Sequence, residues 1–135
     1  MREAGPRDYP AIARIQESSP EAAQWPVGDY SNYNVRLALL DGLPAGFCAW
    51  RQTAPDEAEL LNIAVDPRVR RHGVARALLQ QLASRIDGSI FLEVAEPNMA
   101  ARNLYTSLGW KGIGVRPGYY GQGRIDAIVM KFSSC

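Results

Sequence analysis

The hydrophobic pattern changes its period between residues 59 and 86. Residues 60–65 form a short, mainly apolar run, which is typical of a strand buried on both faces. Pro67 ends this run, because proline has no N–H to donate to a sheet ladder. After it the apolar residues recur at helical spacing and share one face, formed by Ala75, Leu78, Leu79, Leu82 and Ile86. The pattern predicts a strand, a loop and a helix.

The other segments are short and alternate between the two periods. Strands are predicted over residues 1–4, 35–40, 45–51, 89–95, 110–115 and 125–132, and helices over 8–16, near Glu21 and from 98 to 108. Asp41-Gly42 lies between two apolar runs and indicates a hairpin. Asn98 is predicted to be a helix N-cap, because asparagine is favoured at that position. Residues 116–124 are rich in Gly and Tyr and are predicted to form a loop. The order predicts an α/β (α+β) fold with a mixed, mostly antiparallel sheet and one right-handed parallel β-α-β crossover.

The loop before the long helix carries the sequence Arg68-Val-Arg-Arg-His-Gly73. A helix N-terminus presents unpaired N–H groups and a partial positive charge, and Gly73 lets a ligand approach the backbone. With the arginines, this context favours a phosphate or pyrophosphate site. The alternative is a solvated basic turn. A P-loop is excluded because no Lys-Ser/Thr follows the glycine, and a Rossmann site would need two more glycines.

Length and composition narrow the class of protein. The 135 residues, 47% of them hydrophobic, predict a single domain over 1–135 with a core of its own. The net charge is +1 and the basic residues are local, which favours a small anionic ligand over nucleic acid. One histidine gives no metal-ligand cluster. Two distant cysteines predict a reducing compartment, and no signal-peptide or membrane-length run is seen, so we expect a cytoplasmic protein.

Arg70-x-x-Gly73-x-Ala75 resembles the Q/R-x-x-G-x-G/A signature of the GNAT N-acetyltransferases. The resemblance continues in chain order through residues 61–67, 70–79, 91–94, 98–110, 116–120 and 126–130. These runs are similar to the RimI branch, whose members acetylate the N-terminal α-amino group of a ribosomal protein. The resemblance implies the GNAT fold, acetyl-CoA as cosubstrate, a protein or peptide N-terminus as acceptor, and a monomer or weak homodimer without membrane or nucleic-acid partners. Acetylation of a small amine and non-catalytic acyl-CoA binding stay open as alternatives.

The same resemblance implies roles for individual residues. At the end of the strand before the basic loop, the backbone would pair with the pantetheine arm of acetyl-CoA, at a point where the neighbouring strand diverges. The residues that supply this backbone are Ile63, Ala64 and Val65. The pyrophosphate would be held by Arg70, Arg71, His72, Gly73, Val74, Ala75 and Arg76. The amide of Asn98 would contact the cofactor, Glu93 would be the general base and Tyr105 the general acid.

These two acid–base roles also agree with the chemistry of the reaction. An ammonium group cannot attack a thioester until it loses a proton, and a carboxylate such as Glu93 can accept that proton directly or through water. The departing thiolate needs a proton, which the Tyr105 phenol can give, so attack is expected to be direct. The structural alternatives are a solvent-facing Glu93, a core Tyr105 and an Asn98 that only caps its helix.

Three aromatic side chains without a cofactor or acid–base role are assigned to the acceptor. Trp25 lies in a weakly patterned segment that could line a groove, and Tyr119 and Tyr120 could order a peptide backbone. The alternative for all three is packing of their own loops.

Overall fold

The computed structural model describes residues 1–134, and Cys135, the second cysteine, lies outside them. The helices and strands are β1 (Arg2–Glu3), α1 (Tyr9–Glu17), β2 (Asn34–Leu40), β3 (Leu43–Ala54), β4 (Glu57–Val65), α2 (Val74–Arg85), β5 (Gly88–Ala95), α3 (Met99–Ser107), β6 (Lys111–Tyr120) and β7 (Ile125–Ser134). The seven strands have the order β1-β2-β3-β4-β5-β7-β6. β4 pairs with β5 in parallel, whereas β1–β2, β2–β3, β5–β7 and β6–β7 are antiparallel. The predicted mixed, mostly antiparallel sheet is confirmed.

The chain divides into two units, with boundaries inside β3, β4 and α2. The first unit comprises Met1–Arg51 and Leu60–Leu82, and the second comprises Gln52–Glu59 and the described residues from Ala83 onward. The single domain over 1–135 stays a prediction.

The first unit is built around the β2–β3 hairpin. Asp41 and Gly42 have φ values of 53° and 79°, the left-handed pair that a tight hairpin turn requires, and this confirms the predicted hairpin. Its core cluster includes Ile12 of α1, Leu37 and Phe47, all fully buried. Tyr30 packs its ring edge against Phe47, with the centroids 5.4 Å apart. α1 and the segment after it are thereby fixed on the hairpin.

The second unit is built around β5 and its neighbour β7. Ile90, Leu92 and Val94 are buried, so one face of β5 forms core and the other carries Glu93. Trp110 is buried between Tyr105 and Phe132, whose ring centroids lie 5.8 and 5.7 Å from its own. These contacts fix α3 against the sheet strands of this unit.

Several local predictions are wrong. Residues near Glu21 form a turn, and a 3-10 helix lies later, over Val27–Asn32. β4 is buried on one face only, because its alternate residues Leu61, Ile63 and Val65 are half-exposed. Most of the predicted loop 116–124 belongs to β6, since Tyr120 pairs with Ile125 and only residues 121–124 turn.

Within residues 1–134, no helix combines the length and apolar character that crossing a bilayer would require.

Candidate active site

In the first unit, the loop between β4 and α2 has the geometry of an anion cradle. Arg71 and Gly73 both have left-handed backbones, with φ values of 71° and 74°. The Gly73 carbonyl accepts a 2.9 Å hydrogen bond from Ala77, so α2 begins directly after it. A Cβ placed on Gly73 would meet no atom within 4 Å. Open space therefore faces the backbone where the first turn of α2 presents its N–H groups.

Two arginines of this region already have carboxylate partners. Arg68 pairs with the buried Asp66 at 2.7 Å, and its hydrogen bond lowers the pKa of that carboxyl. Arg70 pairs with Glu21 at 2.6 Å, and about half of each side chain is exposed. The charge of Arg68 is thus balanced by a carboxylate of its own turn. The ion pair of Arg70 with Glu21 is exposed and therefore weak, so Arg70 can leave Glu21 and bind another anion.

The other residues of the predicted pyrophosphate site differ in exposure. Arg71, His72 and Arg76 are exposed, Ala75 is half-buried, and Val74 is buried. His72 Nδ1 lies 3.0 Å from the Val69 carbonyl oxygen and 3.2 Å from that of Arg70, so its imidazole stabilises the turn. Because Val74 packs inward, it can offer a ligand its backbone only.

The end of β4 extends beyond its ladder with β5. The last rung described joins Glu59 to Phe91, although β4 continues to Val65 and β5 to Ala95. Ala64 is buried, and a Cβ on Gly46 of β3 would lie only 2.9 Å from the Ala64 carbonyl oxygen. Glycine at this position therefore lets β3 approach β4 closely.

Trp25 lies in the segment between α1 and β2 in the first unit. Its half-buried ring packs at 5.1 Å from Tyr30 and 5.3 Å from Tyr33, measured between ring centroids. Its carbonyl oxygen accepts a 2.8 Å hydrogen bond from the buried Gln16. The ring is held by neighbours on both sides, and the segment is well ordered by contacts that the sequence pattern did not indicate.

In the second unit, Glu93 projects from the half-exposed face of β5. Its Oε1 accepts a 2.6 Å hydrogen bond from Arg116 Nη1, and its side chain is 23% exposed. Its Oε2 is buried and has no hydrogen-bond partner among the described residues. A buried carboxylate oxygen without a donor is costly, which points to a ligand group that completes the site.

Arg116 joins Glu93 to the two tyrosines of β6. Its guanidinium lies 4.3 Å from the centroid of the Tyr119 ring, and the Tyr119 and Tyr120 rings meet edge to face at 4.8 Å. Tyr120 donates a 3.2 Å hydrogen bond to the Glu93 carbonyl oxygen. Burial raises the pKa of Tyr120 to about 12, so this phenol stays protonated at neutral pH. Sequence reasoning assigned the two tyrosines to the acceptor, without placing them beside Glu93, and missed Arg116, the first residue of the Arg-Pro-Gly-Tyr-Tyr run.

Tyr105 and Asn98 occupy α3. Tyr105 is 6% exposed and packs against Trp110, so it is a core aromatic that also carries a phenol. The Asn98 Oδ1 accepts a 3.3 Å hydrogen bond from Ala101, which confirms the predicted N-cap. The cap uses the oxygen of this amide and not its Nδ2 group.

Comparison with known proteins identifies the family. The family model described as "Acetyltransferase (GNAT) family" matches residues 3–110. The chain is 44% identical to the [Ribosomal protein bS18]-alanine N-acetyltransferase of Escherichia coli (strain K12), over 91% of this chain and 89% of that protein. The crystal structure of the ribosomal-protein-S18-alanine N-acetyltransferase from Escherichia coli superposes with a TM-score of 0.86 at 34% identity, covering 97% of this chain and 90% of that one.

A second solved structure, Ard1 from Thermoplasma volcanium, superposes with a TM-score of 0.87 at 25% identity, covering 99% of this chain and 96% of that one. The resemblance to the RimI branch and the GNAT fold that it implied are confirmed by these matches. The chain belongs to the GNAT family of acetyltransferases.

Proposed function

We propose that this enzyme transfers acetyl from acetyl-CoA to the α-amino group of a protein N-terminus, with the N-terminal alanine of ribosomal protein bS18 as acceptor. Support comes from the relative at 44% identity, which is a [Ribosomal protein bS18]-alanine N-acetyltransferase and matches this chain over 91% of its length. The family itself is one of acetyltransferases. We place the reaction in the cytoplasm, the reducing compartment expected from the cysteine usage.

The cofactor roles are supported by the fit of the loop to a pyrophosphate. Because no atom crowds the Gly73 position, a phosphate can approach the backbone N–H groups of the first turn of α2, and exposed Arg71 and Arg76 supply charge. Ile63, Ala64 and Val65 lie past the last β4–β5 rung, so their backbone can pair with an extended amide chain such as pantetheine. Asn98 keeps Nδ2 for a ligand while its oxygen caps α3.

The observation that carries the catalytic assignment is the buried, unpartnered Oε2 of Glu93. An incoming ammonium group would give this oxygen the donor that it lacks, and Glu93 would then accept the proton that must leave before attack. Arg116 holds the other oxygen at 2.6 Å, so the carboxylate presents Oε2 in a fixed direction.

The remaining chemistry follows without a covalent enzyme intermediate. The freed amine attacks the thioester carbonyl, a C–N bond forms, and the C–S bond breaks. Tyr105 is proposed to donate its phenolic proton to the departing thiolate and to regain a proton from the nitrogen, which loses its second proton as the amide forms. Glu93 then holds the one proton that the overall reaction releases. Trp25, Tyr119 and Tyr120 are proposed to contact the acceptor, because each presents a ring beside other aromatic or charged groups.

The test is release of CoA thiol from acetyl-CoA with a panel of acceptors. We expect turnover with a peptide that begins with the bS18 N-terminal sequence, and little with the same peptide already acetylated. Turnover confined to small amines would overturn the peptide acceptor and keep the reaction class. No turnover with any acceptor, while acetyl-CoA still raises the Tm, would favour the acyl-CoA-binding alternative.

A further inference from the structure

Asn62 is a polar residue in the buried row of β4. The residues that share this row, Ala58, Leu60 and Ala64, are apolar, yet the Asn62 side chain is 5% exposed. Burial of an amide is unfavourable unless its donors and acceptors are satisfied. All the contacts that satisfy Asn62 come from the segment between α1 and β2, which carries Trp25.

The Asn62 side chain pairs with one residue of that segment as a neighbouring strand would. Its Oδ1 accepts a 3.1 Å hydrogen bond from the Ala23 N–H, and its Nδ2 donates a 3.0 Å bond to the Ala23 carbonyl. Both backbone groups of Ala23 are therefore satisfied by a single side chain. The segment is clamped at Ala23 although it forms no strand.

The clamp continues through a buried chain of hydrogen bonds to Trp25. Asn62 Nδ2 also donates to the Tyr30 hydroxyl at 2.8 Å, and Tyr30 in turn donates to Gln16 Oε1. Gln16 Nε2 donates to the Trp25 carbonyl at 2.8 Å. Because Tyr30 and Gln16 are 1% and 5% exposed, the network is shielded from water and every member has a partner.

The same segment is also tied to the residues proposed to hold the cofactor. Ser19 Oγ donates a 3.2 Å hydrogen bond to the Val65 carbonyl at the end of β4. Glu21 pairs with Arg70 in the loop before α2. Residues 19–25 are therefore anchored to Asn62, Val65 and Arg70 as well as to Gln16, and Asn62 is among the buried partners.

We infer that Asn62 is a positioning residue for the acceptor: it fixes residues 19–25, and with them the Trp25 ring, in the conformation that binds the acceptor peptide. The inference rests on the proposed function, in which Trp25 contacts that peptide. A segment that is already ordered binds the acceptor without the entropic cost of ordering. Loosening this segment should therefore weaken binding of the acceptor, with a smaller effect on the rate of the chemical step and on the binding of acetyl-CoA.

The test uses Asn62→Leu, which keeps the branched shape of the side chain and removes the clamp, with Tyr30→Phe as a milder second variant that removes one hydroxyl. Ile12→Val is the control, since Ile12 lies in the same core and outside the network. We expect the KM for the peptide to rise about tenfold in Asn62→Leu, with the KM for acetyl-CoA and kcat within about twofold. Hydrogen exchange at the Ala23 amide should accelerate in the same variant.

An unchanged peptide KM in both network variants would overturn the inference, and so would faster exchange at Ala23 without any change in KM. An equal rise of the KM in Ile12→Val would mean that general loss of packing, not the clamp, is responsible. The proposed function is tested separately with the wild-type enzyme. If wild type turns over no peptide at all, the proposed function is wrong, whatever the variants show.

Discussion

Arg116 and Glu93 form an ion pair in which Nη1 lies 2.6 Å from Oε1, although the two residues are 23 positions apart and β7 lies between their strands. The pair uses one carboxylate oxygen only. The other, Oε2, is buried and has no partner among the described residues. Arg116 thus fixes the carboxylate through one oxygen only, which is the arrangement that the proposed role of Glu93 as a base requires.

Arg116→Met should lower kcat/KM for the peptide about tenfold, because Glu93 loses a charge-assisted hydrogen bond and its carboxylate becomes free to rotate. The measurement is the initial rate of CoA release at subsaturating peptide. Lys111→Met is the matched control, since Lys111 is an exposed cation of the same strand. Equal effects of the two substitutions would mean that only the charge of β6 matters.

Glu93→Gln tests the proposed base. The amide keeps the size and can still contact Arg116 but accepts no proton, so kcat should fall about 10²- to 10⁴-fold. The Kd for acetyl-CoA, measured by calorimetry, should change little. Glu96→Gln is the control, because it neutralises an exposed carboxylate just after the same strand. Activity of Glu93→Gln close to wild type would remove Glu93 from the mechanism.

The parts predicted correctly from sequence depend on local signals. The Asp41-Gly42 turn and the Asn98 cap are set by the residues themselves, because their backbone conformations and hydrogen bonds involve near neighbours. The GNAT resemblance also rests on residues that follow one another along the chain.

The parts that were missed depend on pairing between distant segments. Residues 116–120 contain the turn-forming Pro117 and Gly118, yet Arg116 and Tyr120 still pair with Ala127 and Ile125 of β7, on either side of a register shift. Asp126 accepts a 2.9 Å hydrogen bond from the Gly118 N–H inside this irregular stretch. The Arg116–Glu93 pair and the Asn62 clamp likewise join positions that no period or spacing relates. Such contacts can be recognised only once the strands are aligned.

Gly73→Ala should raise the KM for acetyl-CoA about tenfold, because the new Cβ enters the open space that we assign to the pyrophosphate. The variant also places a side chain at a φ of 74°, which carries a backbone cost of its own. Gly42→Ala reproduces that cost at a φ of 79°, with equally open surroundings, in the β2–β3 turn. Acetyl-CoA titrations of both variants separate the two effects, and equal KM values would contradict a phosphate site at Gly73.

Tyr105→Phe should lower kcat about 10²-fold while the fold is kept, since phenylalanine preserves the ring contact with Trp110 and loses only the acidic hydroxyl. Single-turnover rates with saturating acetyl-CoA measure the chemical step. Tyr9→Phe, on α1 in the first unit, is the control for loss of a phenol. A normal single-turnover rate in Tyr105→Phe would leave this tyrosine with a packing role only.

Acid should weaken the fold through Asp8, whose carboxylate accepts hydrogen bonds from Arg2 and the Gly5 N–H. The hydrogen bond with Arg2 lowers the pKa of Asp8 from 3.8 to about 2, so the folded state binds this proton less readily than the unfolded state. The stabilisation is therefore present above about pH 4 and lost as the pH falls towards 2.

At pH 7 the free energy of unfolding, measured with denaturant, should be lower for Asp8→Asn than for wild type by on the order of 1 kcal/mol. The value is modest because Arg2 is partly exposed to solvent. The difference should shrink steeply as the pH falls towards 2 and vanish below it, where the native aspartate also becomes protonated. Asp87→Asn, at an exposed position between α2 and β5, should show no such convergence. A difference between wild type and Asp8→Asn that is independent of pH would assign the effect to packing, because an ion pair must weaken as its carboxylate takes up a proton.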